Sequence, residues 1–96
     1  MCGIAGSVCW DRIRKDEYSN INKVTHALNH RGPDFRSVKN FGKANIGHTR
    51  LSIIDLNKNA NQPMQDSTDR YVISFNGEIY NFKEVKKKLI AKGVIF

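Results

Sequence analysis

The chain has 96 residues, with 16 Lys plus Arg against nine Asp plus Glu, a formal net charge of +7. That length admits one small domain, and an apolar content of 40% argues against wholesale disorder. No apolar run reaches the ~18 to 20 residues that span a bilayer, no basic region with a long apolar stretch opens the chain as a secretory signal would, and two cysteines, Cys2 and Cys9, are too few for a disulfide scaffold. A soluble, cytoplasmic domain is expected.

Cys2 to Trp10 is small and apolar with two glycines, and it predicts a buried strand closely approached by another backbone. Asp11 to Asp16 is polar and turn-like. From Glu17 to Asn29 the apolar positions Ile21, Val24, Ala27 and Leu28 make a helical stripe. His30-Arg31-Gly32-Pro33-Asp34 ends it, with Arg31 and Asp34 read as a structural ion pair or turn cap. Phe35 to Val38 and Ala44 to Ser52 read as strands joined through Gly42. Leu51 to Leu56 continues as extended chain, and Asn57 to Gln65, rich in Asn and containing Pro63, reads as a loop. Tyr71 to Phe75 is a further strand, ending at the turn signal Asn76-Gly77. Asn81 is placed to cap a helix from Phe82 to Lys92 that Gly93 ends. Val94-Ile95-Phe96 then opens an apolar strand that looks cut, so a piece of a longer protein is expected. The pattern is β-α-β-β-β-α-β without internal repeats.

The basic surplus is compatible with nucleic acid or anionic lipid. Its densest run, Lys83, Lys86, Lys87, Lys88 and Lys92, is interleaved with Val85, Leu89 and Ile90, the spacing of an amphipathic helix with a solvated basic face. No aromatics stand among the lysines to stack bases, and the Cys/His spacing fits no zinc finger. His26 and His30 are four apart but lack a third ligand at matching spacing, so no metal is expected. No nucleic-acid or membrane partner is expected either.

Cys2 carries the sharpest chemistry. A residue this small after Met1 allows removal of the initiator, which leaves a cysteine with both a thiol and a free α-amine. That amine titrates near ~7.7 to 8.0, so it can take the thiol proton and leave a nucleophilic thiolate. Cys9 reads as a core residue. His48, two residues before Arg50, is expected on the same face of its strand, in a packing or hydrogen-bonding role.

Four segments together change the weight on Cys2: Met1-Cys2-Gly3-Ile4-Ala5-Gly6, His30-Arg31-Gly32-Pro33-Asp34, Gly47-His48-Thr49-Arg50-Leu51-Ser52-Ile53-Ile54-Asp55 and Phe75-Asn76-Gly77-Glu78-Ile79-Tyr80-Asn81. In this order, and over essentially the whole chain, they resemble the glutamine-hydrolysing domain of class II amidotransferases, which are N-terminal-nucleophile hydrolases. The later motifs look most like the asparagine synthetase branch. Independently of the family, Asn76 offers a side-chain NH₂ and Gly77 an unobstructed N–H for an oxyanion, and Arg50 offers a two-toothed grip on a carboxylate. The resemblance assigns Asn76 and Gly77 to the oxyanion hole, Arg50 to the glutamine carboxylate and Glu78 to its ammonium. It lines the same pocket with backbone of the stretch from Leu51 through Ile53 to Ile54.

The fold this implies is α/β (α+β), the four-layer αββα sandwich of N-terminal-nucleophile hydrolases, with residues 1–96 roughly its first half. The implied reaction is glutamine hydrolysis at Cys2, with ammonia passed to ATP-dependent synthesis of asparagine from aspartate. No cofactor is expected in this chain. ATP and magnesium belong to a synthetase domain beyond it, as does a further acid that would complete the glutamine site. The acceptor stays open within the branch, a sugar acid or natural-product precursor being the alternative. A basic non-enzymatic binding module is the reading outside the enzyme class. Homo-oligomerisation is left open, and the isolated piece is expected to be inactive.

Overall fold

The computed structural model describes residues 1–11, 14–53 and 56–96. Ile54 and Asp55, which end the third motif, and Arg12 and Ile13 of the expected turn lie outside the described residues. The described residues form seven strands and α-helices in order: β1 (Gly3–Val8), α1 (Lys15–Ala27), β2 (Phe35–Asn40), β3 (Ala44–Arg50), β4 (Met64–Gln65), β5 (Val72–Ile73) and α2 (Phe82–Ala91). β1, β3 and β2 form an antiparallel sheet in that order, with Gly3 opposite Thr49 and Phe35 opposite Arg50. β4 and β5 form a separate antiparallel pair. The fold class is α+β.

α1 lies on the sheet because the residues beneath it are small. A side chain at Gly47 would begin 3.0 Å from Thr25 Cβ, and one at Gly3 would begin 2.9 Å from Leu28 Cβ. Thr25 fills the space over Gly47 and is fully buried, its hydroxyl donating to the Ile21 carbonyl at 2.7 Å. Ile21 and Ala5 are the buried apolar residues of this layer. The first turn of α1 carries Asp16 and Glu17, favourable charges at a helix N-terminus. The Glu17 carboxylate accepts from the Arg14 backbone N–H and from the Cys9 thiol, both at 3.1 Å. These bonds hold it below the usual carboxylate range, and the Cys9 thiol is pushed up in turn, chiefly by the same bond.

After α1 a 3₁₀ turn, Asn29–Arg31, leads into Gly32, whose backbone touches that of β3. A Cβ at Gly32 would overlap the Thr49 carbonyl carbon, so no larger residue fits without moving β3. The contact brings Pro33 into a parallel bridge with Arg50, and the Asp34 N–H donates to the Arg50 carbonyl at 3.0 Å.

The opposite face of β3 carries His48 and Arg50. Ser37, opposite His48 on β2, donates its hydroxyl to the Gln62 carbonyl at 3.1 Å and so ties the 57–63 loop to this face. Pro63 of that loop is fully buried. His48 is fully buried as well, and neither ring nitrogen has a hydrogen-bond partner among the described residues. Burial depresses the imidazole pKa below its ordinary value, and the charge of Arg50 adds to the effect.

Several expectations need correction. β1 is shorter than Cys2 to Trp10 and is buried on one side only, with Val8 82% and Trp10 99% exposed. α1 runs two residues earlier than Glu17 to Asn29 at both ends, and Thr25 rather than Val24 is buried, because Gly47 leaves room for it. β3 stops at Arg50, short of Ser52. The expected loop holds a 3₁₀ turn, Lys58–Ala60, and ends in β4. The strand expected over Tyr71 to Phe75 is two residues long. Its partner β4 precedes it, so Asn76-Gly77 follows the hairpin rather than making its turn. Arg31 and Asp34 do not pair with each other among the described ion pairs; each holds a backbone group instead. Asn81 stands at the N-cap of α2 without a side-chain cap bond. The end of α2 is as expected: Gly93 adopts φ +87°, and the Val94 N–H returns to the Leu89 carbonyl at 3.0 Å. Val94 to Phe96 form no strand, and α2 buries none of its residues.

Two predictions follow from this packing. Gly32→Ala sets a Cβ against the β3 backbone, which must shift to admit it, so it should cost ~1 to 3 kcal/mol, read by urea unfolding. For His48, the unfolded chain binds the imidazole proton more tightly than the folded one. Its contribution to stability is therefore complete above ~6.5 and is lost as pH falls below that value toward the folded pKa. Thermal melts should show Tm falling from pH ~7 to 5, and His48→Gln should flatten that fall. An equal slope in the variant would assign the acid sensitivity elsewhere.

Candidate functional site

β1 begins where its antiparallel partner β3 ends, which sets Cys2 beside the chain leaving β3. Gly3, opposite Thr49, donates its N–H to the Thr49 hydroxyl at 3.0 Å, and that hydroxyl donates to the Leu28 carbonyl at 3.1 Å. Cys2 is thereby fixed one residue before the strand. Its sulfur accepts the Leu51 N–H at 3.4 Å, and the thiol faces the Leu51 carbonyl at 3.9 Å. An N–H aimed at sulfur is complementary to a thiolate. The Cys2 carbonyl accepts from Arg31 Nε at 3.4 Å. Cys2 is half-buried and free of any disulfide.

Arg50 is 7% exposed, and its guanidinium reaches the loop that crosses the sheet face. Nη1 donates to the Asn57 carbonyl at 2.9 Å and to Asn61 Oδ1 at 2.7 Å. The next residues are steered by Asp34, whose carboxylate accepts the Ser52 N–H at 2.7 Å. Leu51 and Ile53 therefore leave the strand along the mouth of a cleft.

That cleft has a volume of about 460 Å³. Cys2, Arg50, Leu51 and Ile53 line one side, and Asn76, Gly77 and Glu78 line it from the segment after β5. All seven residues singled out in the sequence thus meet in one cavity. Asn76, Gly77 and Glu78 are exposed, as is Ile53, whereas Leu51 is half-buried. The cleft joins a thiol, a buried guanidinium, a carboxylate and amide N–H donors.

Sequence reading did not single out Met1, Ala60, Gln62, Phe75 or Tyr80, which complete the lining. Nor did it foresee Arg31 on the Cys2 carbonyl. The Arg31 and Asp34 motif carried a signal for these backbone contacts, but Gln62, inside a segment read only as loop, carried none.

Of the residues weighed for a metal, His26 accepts from the Arg36 guanidinium, and His30 Nδ1 donates to the Ala27 carbonyl at 3.0 Å. No group of three His, Cys, Asp or Glu suited to a metal occurs among the described residues. No described helix is long and apolar enough to cross a membrane.

Comparison with known proteins fits this geometry. The chain is 38% identical to a putative glutamine-hydrolysing asparagine synthetase 2 of Methanocaldococcus jannaschii, over 92% of this chain and 20% of the relative. It is 36% identical to glutamine-hydrolysing asparagine synthetase 3 of Bacillus subtilis, over 97% of this chain and 15% of the relative. A match of 32% covers 96% of this chain and 15% of amidase chyE of Penicillium rubens. The chain thus spans 15% to 20% of the length of these relatives. No solved structure matches it significantly. The glutamine amidotransferase domain model matches residues 1–96, and with Cys2, Arg50 and Asn76-Gly77 facing one cleft, the chain belongs to the glutamine amidotransferase family.

Proposed function

We propose that this chain is the N-terminal part of a glutaminase domain of the N-terminal-nucleophile type, and that Cys2 releases ammonia from glutamine for asparagine synthesis. The observation that carries the reading is the convergence of Cys2, Arg50 and Asn76-Gly77 on one cleft. The names of the relatives support asparagine as the product.

In this reading Met1 is removed, and the freed α-amine of Cys2 takes the thiol proton. The thiolate attacks the side-chain carbonyl carbon of glutamine, and the carbonyl electron pair moves to oxygen. Asn76 Nδ2 and the Gly77 N–H stabilise that oxyanion, in a role where loss of one donor typically costs ~10²- to 10³-fold in rate. The α-ammonium returns the proton to the amide nitrogen, ammonia leaves, and a thioester to glutamate remains on Cys2. Water, deprotonated by the same amine, then releases glutamate. Arg50 pairs with the substrate carboxylate and Glu78 with its ammonium, while Leu51 and Ile53 present backbone to the same end. These are ground-state contacts, so they set binding more than turnover.

Aspartate and ATP are the further substrates of the proposed whole protein. ATP and magnesium are proposed to act in a synthetase domain outside these 96 residues. The acceptor pocket is assigned to that domain too. Amidase chyE, a relative of comparable identity, is an observation in favour of a different acceptor within the same chemistry. The cytoplasm is the proposed compartment.

The rest of the proposed sandwich has a structural motive. Among the described residues only Ala5 and Ile21 are buried hydrophobics, while Ile4, Val8, Ile53, Leu56 and Tyr80 are exposed. We expect the isolated 96-residue piece to self-associate and to release no glutamate above background. A stable monomer on a sizing column that hydrolyses glutamine would refute its being half a domain.

In the full-length protein, mass spectrometry of the active form should find Cys2 at the terminus. Cys2→Ala should abolish amide transfer from glutamine and spare transfer from added ammonia. Arg50→Lys keeps the charge and loses the fork, so it should raise the KM for glutamine by ~10- to 100-fold. Asn76→Ala should lower kcat by ~10²- to 10³-fold with little change in KM. A rise in KM at constant kcat for Asn76→Ala would remove it from the oxyanion site.

A further inference from the structure

Residues 74–78 lie beyond the β4–β5 ladder, whose last pair is Met64 with Ile73. Among the described residues, one hydrogen bond ties this stretch to another segment: the Phe75 backbone N–H donates to Gln62 Oε1 at 2.5 Å. Phe75 in turn supports Gly77. A methyl group at Gly77 would begin 2.7 Å from Phe75 Cζ, so the ring lies against the Gly77 backbone. A displacement of Phe75 is therefore a displacement of Gly77.

Gln62 is itself held. Its carbonyl accepts from the Ser37 hydroxyl at 3.1 Å, its neighbour Asn61 accepts from Arg50 Nη1 at 2.7 Å, and its other neighbour, Pro63, is fully buried. The Gln62 side chain thus works as a strut between the sheet and a segment that no ladder supports. It lines the cleft that Cys2, Asn76 and Gly77 share.

We infer that Gln62 is a positioning residue for the oxyanion donors, its side-chain carbonyl fixing Phe75 and, through the Phe75 ring, the place of Gly77 and Asn76. The inference rests on the glutamine-hydrolysis reading above. Oxyanion stabilisation depends on donors already in place when charge develops, and a displacement of ~1 Å from the productive geometry can cost ~10²-fold in rate. Loosening the strut should therefore act on turnover and leave glutamine binding at Arg50 nearly intact.

The test uses two substitutions in the full-length protein, with glutamate release from glutamine as the assay. Gln62→Met keeps the length of the side chain and removes the acceptor, whereas Gln62→Glu retains an acceptor oxygen. Gln62→Met should lower kcat by ~10- to 100-fold with KM within ~3-fold of wild type. Gln62→Glu should recover most of that loss. Alkylation of Cys2 by iodoacetamide, a displacement at saturated carbon that forms no oxyanion, should proceed at the same rate in all three proteins. A Gln62→Met kcat within ~2-fold of wild type overturns the inference, as does a Gln62→Glu variant as impaired as Gln62→Met. Joint loss of kcat, Cys2 alkylation and Tm in both variants also overturns it, since Gln62 would then serve folding alone. Absence of glutamate release by the wild type would defeat the glutamine reading itself, whereas an active wild type with an unaffected Gln62→Met defeats only the strut.

Discussion

Arg50 is a cation taken out of water at the end of the one strand of the large sheet that pairs on both edges. Desolvating such a group costs several kcal/mol unless its donors are met. Here Nη1 is met by the Asn57 carbonyl and by Asn61 Oδ1, so the loop after β3 must fold back across the sheet to serve it. That return places Gln62 above Ser37 and beneath Phe75. One buried charge thus organises both walls of the cleft: the β3 end that fixes Leu51 beside Cys2, and the loop that carries the post-β5 segment.

The Gly32-Pro33-Asp34 turn meets the same end of β3 through its backbone. Backbone contact at Gly32 lays the turn along Thr49 and Arg50. Asp34 then takes the Ser52 N–H, and Arg31 takes the Cys2 carbonyl. The motif contributes no group to the cleft lining. It sets the direction in which two cleft segments leave their strands, and charges on backbone atoms serve that purpose better than a pair neutralising each other.

The legible parts of the fold were those set by local physics. The β2–β3 hairpin around Gly42, the helix after the polar turn, and the glycine end of α2 depend on neighbours in sequence, and all three formed, with the bounds of α1 and β3 shifted by two residues. The failures were non-local. Thr25 displaced Val24 from the core because a glycine 22 positions later left a hollow that its satisfied hydroxyl could enter. Asn76-Gly77 carries a turn signal, yet β5 was already paired with the strand before it, which left no partner for a second hairpin. In the site, the seven residues marked by chemistry and by the family resemblance line one cleft. Gln62 did not announce itself, because its contact to Phe75 spans 13 residues and leaves no periodic trace.

Burial places the weak side of this structure opposite the strong one. The interface of α1 with the sheet is built from glycines, Thr25 and Thr49 beside the buried Ala5 and Ile21, and its close backbone approach favours geometric definition over apolar area. Large apolar side chains lie instead on the far face of β1, in the chain beyond β3 and throughout α2. Hydrophobic stabilisation scales with area removed from water, at roughly 25 cal/mol per Å², so those side chains contribute little as they stand. The residues of the cleft are therefore held mainly by directional contacts: strand pairing, the Arg50 clasp and the Gln62 strut. Directional contacts hold donors at fixed distances but supply little net stability each. A cleft so made has its geometry defined by directional contacts, while the apolar side chains left on the exposed faces contribute little to holding it shut against thermal opening.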